Sequence, residues 1–351
     1  MSKHEKIQSF DPSGVGLKNG NFIGLPFDEN EAEVVLLSVP WDVTVCFGES
    51  TSSGPENILK CSSQLDLYDY DIPDAWKMGL YMRPPSEYWV ERNRALRPLA
   101  KKYIAFLEEG GDPSANEDMR KIAEEVNRNC EKLKSWVYLE SRQLMDAGKL
   151  VGIVGGEHSV PLGYFHALAE RHGPFGVLQI DAHPDLRDAY EGFIYSHASA
   201  FFNALRIPEI SKLVQVGIRE SCHDDWNLVR ESKGRVQIFT DHAIRGMQYK
   251  GAAFLEICKS IVSNLPEKVY ISFDIDGLDP GLCPNTGTPV PGGLQFTEAN
   301  YLVHQVVESG RTIIGFDLCE TAGIGNDWDG NVGARVLYNL ANAMGRSHGK
   351  I

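Results

Sequence analysis

Apolar and polar positions along the chain follow two rhythms. Short, nearly continuous apolar runs recur at 33–39, 149–154, 176–180, 213–217, 236–239, 268–273 and 311–316. Runs of that length without alternation are expected of parallel strands buried on both faces. Between them, helical spacing appears at 55–63, 87–107, 116–147, 161–171, 197–205, 252–264, 297–308 and 331–343. In the stretch 116–147, Ile122, Val126, Cys130, Leu133 and Val137 keep to one helical face, with Gly148 placed to end it. Alternation of this kind predicts an α/β protein, three layers with a mainly parallel sheet covered by helices on both sides. With a further short strand near 78–82, the sheet has about eight strands. No repeat or composition break divides the chain, so a single domain is expected for 33–351, with the polar residues 1–32 as an N-terminal arm.

Chemistry-bearing residues gather where the apolar runs stop. The run 176–180 leads into Asp181-Ala182-His183-Pro184-Asp185, the run 268–273 into Asp274-Ile275-Asp276, and the run 149–154 into Gly155-Gly156-Glu157-His158. Carboxyl ends of strands are where open α/β sheets build their sites. Taken singly, each side chain could be a helix cap, an Asx-turn or a satisfied core histidine. Together, His158, Asp181, His183, Asp185, Asp274 and Asp276 bring four carboxylates and two imidazoles toward one place. Crowded carboxylates repel at neutral pH unless cations offset them. Six donors suit two ions sharing bridging carboxylates, and the oxygen-rich set with two imidazoles suits Mn, Ni, Fe or Co rather than Mg or Ca. Two such ions a few ångströms apart commonly hold a hydroxide, a nucleophile available at neutral pH.

These motifs, with Thr286-Gly287-Thr288-Pro289-Val290-Pro291-Gly292-Gly293, resemble the ureohydrolase family of arginases, agmatinases and guanidine hydrolases. The resemblance covers about 30–60 and 148–345, departing at Glu157, where the family usually has Asp. It implies an arginase-like fold and hydrolysis of a guanidino C–N bond to urea and an amine. It further implies that His158, Asp181, Asp185 and Asp274 hold one divalent ion and Asp181, His183, Asp274 and Asp276 the other. The metal would be Mn2+, or Ni2+ as in guanidine-hydrolase-like members. His197 matches the family's proton-transfer histidine and Glu320 its guanidinium-binding glutamate. The stretch 65–148 reads as a helical insert relative to compact members, suited to oligomer contacts more than to a lid. Closed homo-oligomers, trimers or hexamers, are implied, with a related partner subunit as a variant.

Composition narrows the rest. A net charge of −14 argues against nucleic acid and anionic membranes as partners and is compatible with a small cationic guanidino substrate. Seven cysteines without a Cys-x-x-Cys pair, and no apolar leader, are expected of reduced thiols in the cytoplasm. Substrate choice should fall to Arg187, Asp188, Tyr190, Cys222, His223 and Thr288, with Trp41 or Trp328 in support. Free guanidine or a small substituted guanidine or biguanide is the preferred expectation, with agmatine or a guanidino acid second. A mononuclear deacetylase-like hydrolase and a non-catalytic partner subunit are the readings from other classes.

Overall fold

The first element is a short helix, α1 (Lys3–Ser9), followed by β1 (Val34–Val39), α2 (Gly54–Ser62) and β2 (Leu80–Met82). Two long helices, α3 (Glu87–Glu108) and α4 (Glu117–Asp146), precede β3 (Leu150–Gly155), α5 (Leu162–His172) and β4 (Phe175–Ile180). Then come α6 (Ala200–Ala204), β5 (Ile210–Ile218), α7 (His223–Glu231), β6 (Val236–Thr240), α8 (Asp241–Tyr249) and α9 (Phe254–Val262). β7 (Lys268–Asp274), α10 (Phe296–Glu308), β8 (Thr312–Cys319) and α11 (Asp327–Ser347) complete the chain. This computed structural model describes all 351 residues.

The eight strands form one sheet in the order β2-β1-β3-β8-β7-β4-β5-β6, and every adjacent pair is parallel. Side-chain alternation sorts the apolar runs onto two faces. Val35, Leu37, Val151, Ile153, Val177 and Leu213 point into one core of 40 buried residues, shared with α3, α4, α5 and α6. Val34, Leu36, Val154, Leu178, Val214 and Ile271 point into the other, of 46, shared with α2, α9, α10 and α11. Cores of similar size on both faces account for the continuous apolar strands, since neither side meets water. The chain is therefore one α/β domain.

The stretch 65–148 supplies half of one helical layer. The expected stripe of α4, Ile122 to Val137, is buried, and the helix lies along α5. At their crossing, a Cβ on Gly163 would fall 2.1 Å from Lys134 O, so the two backbones nearly touch. The second half of the arm packs onto the domain. Phe22, Leu25 and Phe27 are buried, and Asn21 Nδ2 donates to Leu25, Phe27 and Leu80 carbonyls, tying the segment to edge strand β2. Helices α1, α7 and α8 are short, of 7, 9 and 9 residues, too few turns for a helical period to stand out in the sequence. Their caps carry the signal instead: Ser2 with Glu5, Cys222 with Asp225, and Thr240 accepting from Ala243 N.

Gly→Ala inside a helix ordinarily stabilises by up to about 1 kcal/mol. Gly163→Ala should do the opposite, destabilising by about 1–3 kcal/mol through overpacking against α4, seen as a lower urea midpoint. A raised midpoint would show that α4 and α5 are not in backbone contact.

Candidate metal centre

The four central strands, β3, β8, β7 and β4, are neighbours in the sheet although far apart in sequence. Their carboxyl ends surround one cavity of about 310 Å³. β3 contributes His158 by a close backbone pass. Gly156 N–H donates to Val39 O, and a Cβ at Gly156 would fall 2.0 Å from Trp41 O. β4 contributes Asp181, His183 and Asp185, and β7 contributes Asp274 and Asp276.

His158 is 1% exposed, and its ring has a deducible tautomer. Ser272 Oγ donates its proton to Asp317 Oδ2 (2.6 Å), so it must accept from His158 Nε2, 3.0 Å away. Nε2 then carries a hydrogen, and Nδ1 is the nitrogen left to take either a second proton or a metal ion. Around Nδ1 stand Asp181 Oδ2 at 2.9 Å, Asp185 Oδ2 at 3.1 Å and Asp274 Oδ2 at 3.2 Å, and Nδ1 has no hydrogen-bond donor. Three carboxylate oxygens facing one imidazole nitrogen in a buried site call for positive charge between them. It is supplied by a second ring proton, which, despite burial, the carboxylates favour by raising His158 well above its ordinary value, or by a bound cation. Beside it, His183 Nδ1 lies 3.0 Å from Asp276 Oδ2 and 3.7 Å from Asp181 Oδ1. His158, Asp181 and Asp185 form one compact donor cluster, and Asp181, His183 and Asp276 a second that shares Asp181. The donor set thus fits divalent metal.

The remaining carboxylate oxygens are oriented by fixed donors. Gln179 Nε2 donates to Asp181 Oδ2 (2.7 Å), His183 N to Asp181 Oδ1 (2.7 Å), Ala182 N to Asp276 Oδ1 (3.0 Å) and Asp276 N to Asp274 Oδ1 (2.9 Å). Such outer partners aim first ligands and raise their affinity. Burial and the neighbouring Asp181 push Asp185 up to about 7, while burial, then Asp276 and Asp181, push Asp274 above the carboxylate range. Despite burial, hydrogen bonds from His158 and His183 hold Asp181 low, and Asp276 followed by Asp181 raises His183 to about 12. Asp185 (φ 53°) and Glu320 (φ 60°) occupy the left-handed region that favours glycine, a strain the surrounding bonds must sustain.

A third grouping, His158, Asp317 and Cys319, lies on the other ring edge. Its histidine nitrogen is already used by Ser272, and burial keeps the Cys319 thiol protonated, donating to Asp317 Oδ1 at 3.6 Å. It supports His158 rather than competing for metal.

The other expected residues divide. Glu320 is 5% exposed; Oε1 accepts from His158 N (3.0 Å), and Oε2 faces the cavity unpartnered. Burial, then Glu157 and Asp276, raise it well above the usual range. His197 lines the same cavity, with burial and then His183 lowering it to about 3, so its ring is neutral. Arg187, Tyr190 and Thr288 also line it, the Arg187 guanidinium stacked 4.6 Å over the Tyr190 ring and Thr288 Oγ1 3.5 Å from Asp276 Oδ2. Cys222 and His223 do not. They cap and begin α7, turned away because the helix start points the Asp225 side chain inward instead. Asp188, Trp41 and Trp328 are also outside the cavity. Trp41 is buried against Trp89, and Trp328 Nε1 donates to Gly281 O.

Phe47, from the loop 47–53 that resembles the family's loop at the active-site mouth, is in the wall, and Cys46, Glu220, Ser221 and Asp225, not expected there from the sequence, join it. Asp225 is the most consequential: it is 2% exposed, Oδ2 accepts from Cys222 N (2.7 Å), and Oδ1 has no partner. Its position after strand β5, three residues beyond a cap, was the available signal.

Comparison with known proteins agrees with this geometry. The family model described as "Arginase family" matches residues 32–341. The N(1)-aminopropylagmatine ureohydrolase of Thermus thermophilus is 33% identical over 319 residues, 91% of this chain and 92% of that protein. Among solved structures, the agmatine ureohydrolase of Thermoplasma volcanium superposes with a TM-score of 0.69 at 21% identity, covering 99% of each chain. The proclavaminate amidinohydrolase of Streptomyces clavuligerus does so with 0.72 at 22% identity, covering 96% of this chain and 100% of that one. At these identities the structures establish the shared fold.

Adding Mn2+ or Ni2+ to chelator-treated protein should raise its melting temperature, by the equivalent of about 2.7 kcal/mol at a hundredfold excess over Kd. Asp181→Ala should abolish both the rise and the bound metal. An undiminished rise in that variant would put the cation elsewhere.

Proposed function

The chain belongs to the arginase family and is a hydrolase of C–N bonds in linear amidines, and we propose that it releases urea from an alkylguanidine carrying a second cationic nitrogen. Agmatine-type compounds are the class meant. The observation that carries the substrate reading is Asp225. A buried carboxylate with one oxygen unpaired by the protein, set in a cavity wall, is costly unless water or a ligand completes it, and a cationic ligand completes it best. Glu220 on the same wall adds negative charge, while Arg187 rests its guanidinium on Tyr190. A cavity of about 310 Å³ also leaves room beyond a bare guanidinium. These features favour a longer substrate over free guanidine or biguanide, the preferred expectation from sequence. The relative named for N(1)-aminopropylagmatine supports the same direction.

In the proposed chemistry, His158, Asp181, Asp185 and Asp274 would hold one divalent ion and Asp181, His183, Asp274 and Asp276 a second. Mn2+ and Ni2+ both suit the donor set. Bound there, the ions would supply a nucleophile derived from water at neutral pH. Glu320 Oε2 offers the guanidinium a charge-assisted hydrogen bond, its other oxygen held by His158 N. Guanidinium is a poor electrophile, so orientation by Glu320 and by the outer carboxylates contributes to reaching the transition state. His197, neutral and lining the cavity, is placed to accept a proton and pass it to the departing amine.

Urea release measured across agmatine, N(1)-aminopropylagmatine, guanidinobutyrate, biguanide and free guanidine tests the reading. The amine-tailed compounds should be turned over with the highest kcat/KM. Asp225→Asn should raise their KM by about tenfold, the order of one charge-assisted hydrogen bond, and leave free guanidine unaffected. Fastest turnover of free guanidine, or of guanidinobutyrate through Arg187, would overturn the substrate assignment.

A further inference from the structure

Helix α3 lies outside the cavity, yet one stripe of it holds the loop that holds His197. Trp89, Asn93 and Arg97 recur at four-residue steps and so share a face. The Trp89 ring meets Trp41 edge-on at 5.8 Å. Asn93 and Asp42 pair in both directions: Asp42 N donates to Asn93 Oδ1 (2.8 Å), and Asn93 Nδ2 donates to Asp42 Oδ1 (2.7 Å). Asp42 Oδ2 accepts from Ser52 N (3.0 Å), which closes the loop on itself. Arg97 Nη1 then donates to Val43 O (3.2 Å) and Val45 O (2.6 Å).

Thr44 sits between those two carbonyls, fully buried. Its amide donates to Glu157 Oε2 (2.7 Å) and its hydroxyl to Glu157 Oε1 (2.9 Å). The same hydroxyl accepts from His197 N (3.0 Å). Two residues on, Cys46 Sγ lies 3.6 Å from His197 Nε2, at the cavity wall. The backbone of His197 is thus tied to a threonine whose two neighbours in the chain have their carbonyls held by one arginine from α3.

We propose that α3, through Arg97 and Asn93, is a positioning element that sets the His197 ring against the cavity by fixing Thr44. This rests on the reading of His197 as the proton-transfer residue. Glu157, one methylene longer than the Asp usual at its place in the family, is what reaches both donors of Thr44. Arg97 touches no reacting atom; it acts through Val43 and Val45.

The test uses metal-loaded full-length protein carrying Arg97→Ala or Arg97→Lys, assayed with the best guanidino substrate of the panel. Cys46 alkylation by N-ethylmaleimide, mapped by peptide mass, is followed in the same samples with Cys222 as the internal reference. Arg97→Ala should lower kcat by about 10- to 100-fold, the scale of a small misplacement, with KM changed by less than about twofold. It should also quicken Cys46 alkylation several-fold relative to Cys222, and Arg97→Lys should recover most of both. Unchanged Cys46 alkylation in Arg97→Ala overturns the proposal, whether or not any guanidine is turned over. So does a kcat loss that Arg97→Lys does not recover. Should Arg97→Ala fail to fold, Thr44→Val against Thr44→Ser decides: the valine variant should lose kcat at constant KM and the serine variant should keep it, and equal activity of the two overturns the proposal.

Discussion

An imidazole nitrogen enclosed by three carboxylate oxygens, all out of water, is the constraint on which the rest of this structure depends. Ser272 and Asp317 hold one ring proton at the far edge of His158, which leaves Nδ1 to meet the three oxygens either as a protonated donor or as a metal ligand. Like charges this close and this buried would either bind protons or be pushed apart. The fold pushes Asp185 and Asp274 toward the protonated form and keeps the cluster together, with Asp181, Asp274 and Asp276 each pinned by a backbone amide and Asp181 by Gln179 as well. The site is preorganised for a cation before one arrives.

That preorganisation is a property of the sheet order. β8 runs between β3 and β7, and its Asp317 stands level with Ile153 on one side and Ser272 on the other. Only with β8 in that place can one carboxylate orient Ser272, which in turn orients His158 on the strand beyond. The same strand ends in Glu320, whose φ of 60° turns its carboxylate back to His158 N and into the cavity. Backbone strain there is sustained by Glu320 N donating to Gly156 O and by Thr286 Oγ1 donating to Glu320 O. A central strand with no expected metal ligand of its own therefore sets the geometry of those beside it.

The sequence disclosed the part of the site that strands dictate. Asp181, His183, Asp185, Asp274 and Asp276 follow apolar runs directly, and a residue's distance from the end of a buried strand is readable from spacing. His158 and Glu320 follow the same rule. What it did not disclose lies on the connections. Cys222 and His223 were expected in the cavity and Asp225 was not, since the turn into α7 depends on a cap formed by Asp225 itself. The stretch 65–148 shows the same limit. Its helices were legible from their period, but periodicity does not say which layer a stripe faces, and α4 turned out to build the core against α5.

This division bears on why reaction and substrate are so unequally readable. The donors that would carry the chemistry sit on four strands whose register admits little movement, so their residue types are tightly prescribed. The outer wall comes from the loops after β1, β4 and β5, where Phe47, Arg187, Tyr190 and Asp225 meet. Loops tolerate substitution at small cost to stability. A wall built from three of them can alter its charge without disturbing the strand ends beneath. Arg187 shows the point: its guanidinium lies over the Tyr190 ring at the cavity wall, and the linear sequence does not display that pairing. Electrostatic selection at the mouth follows from how loop side chains pair with each other, and that pairing exists only in the folded chain.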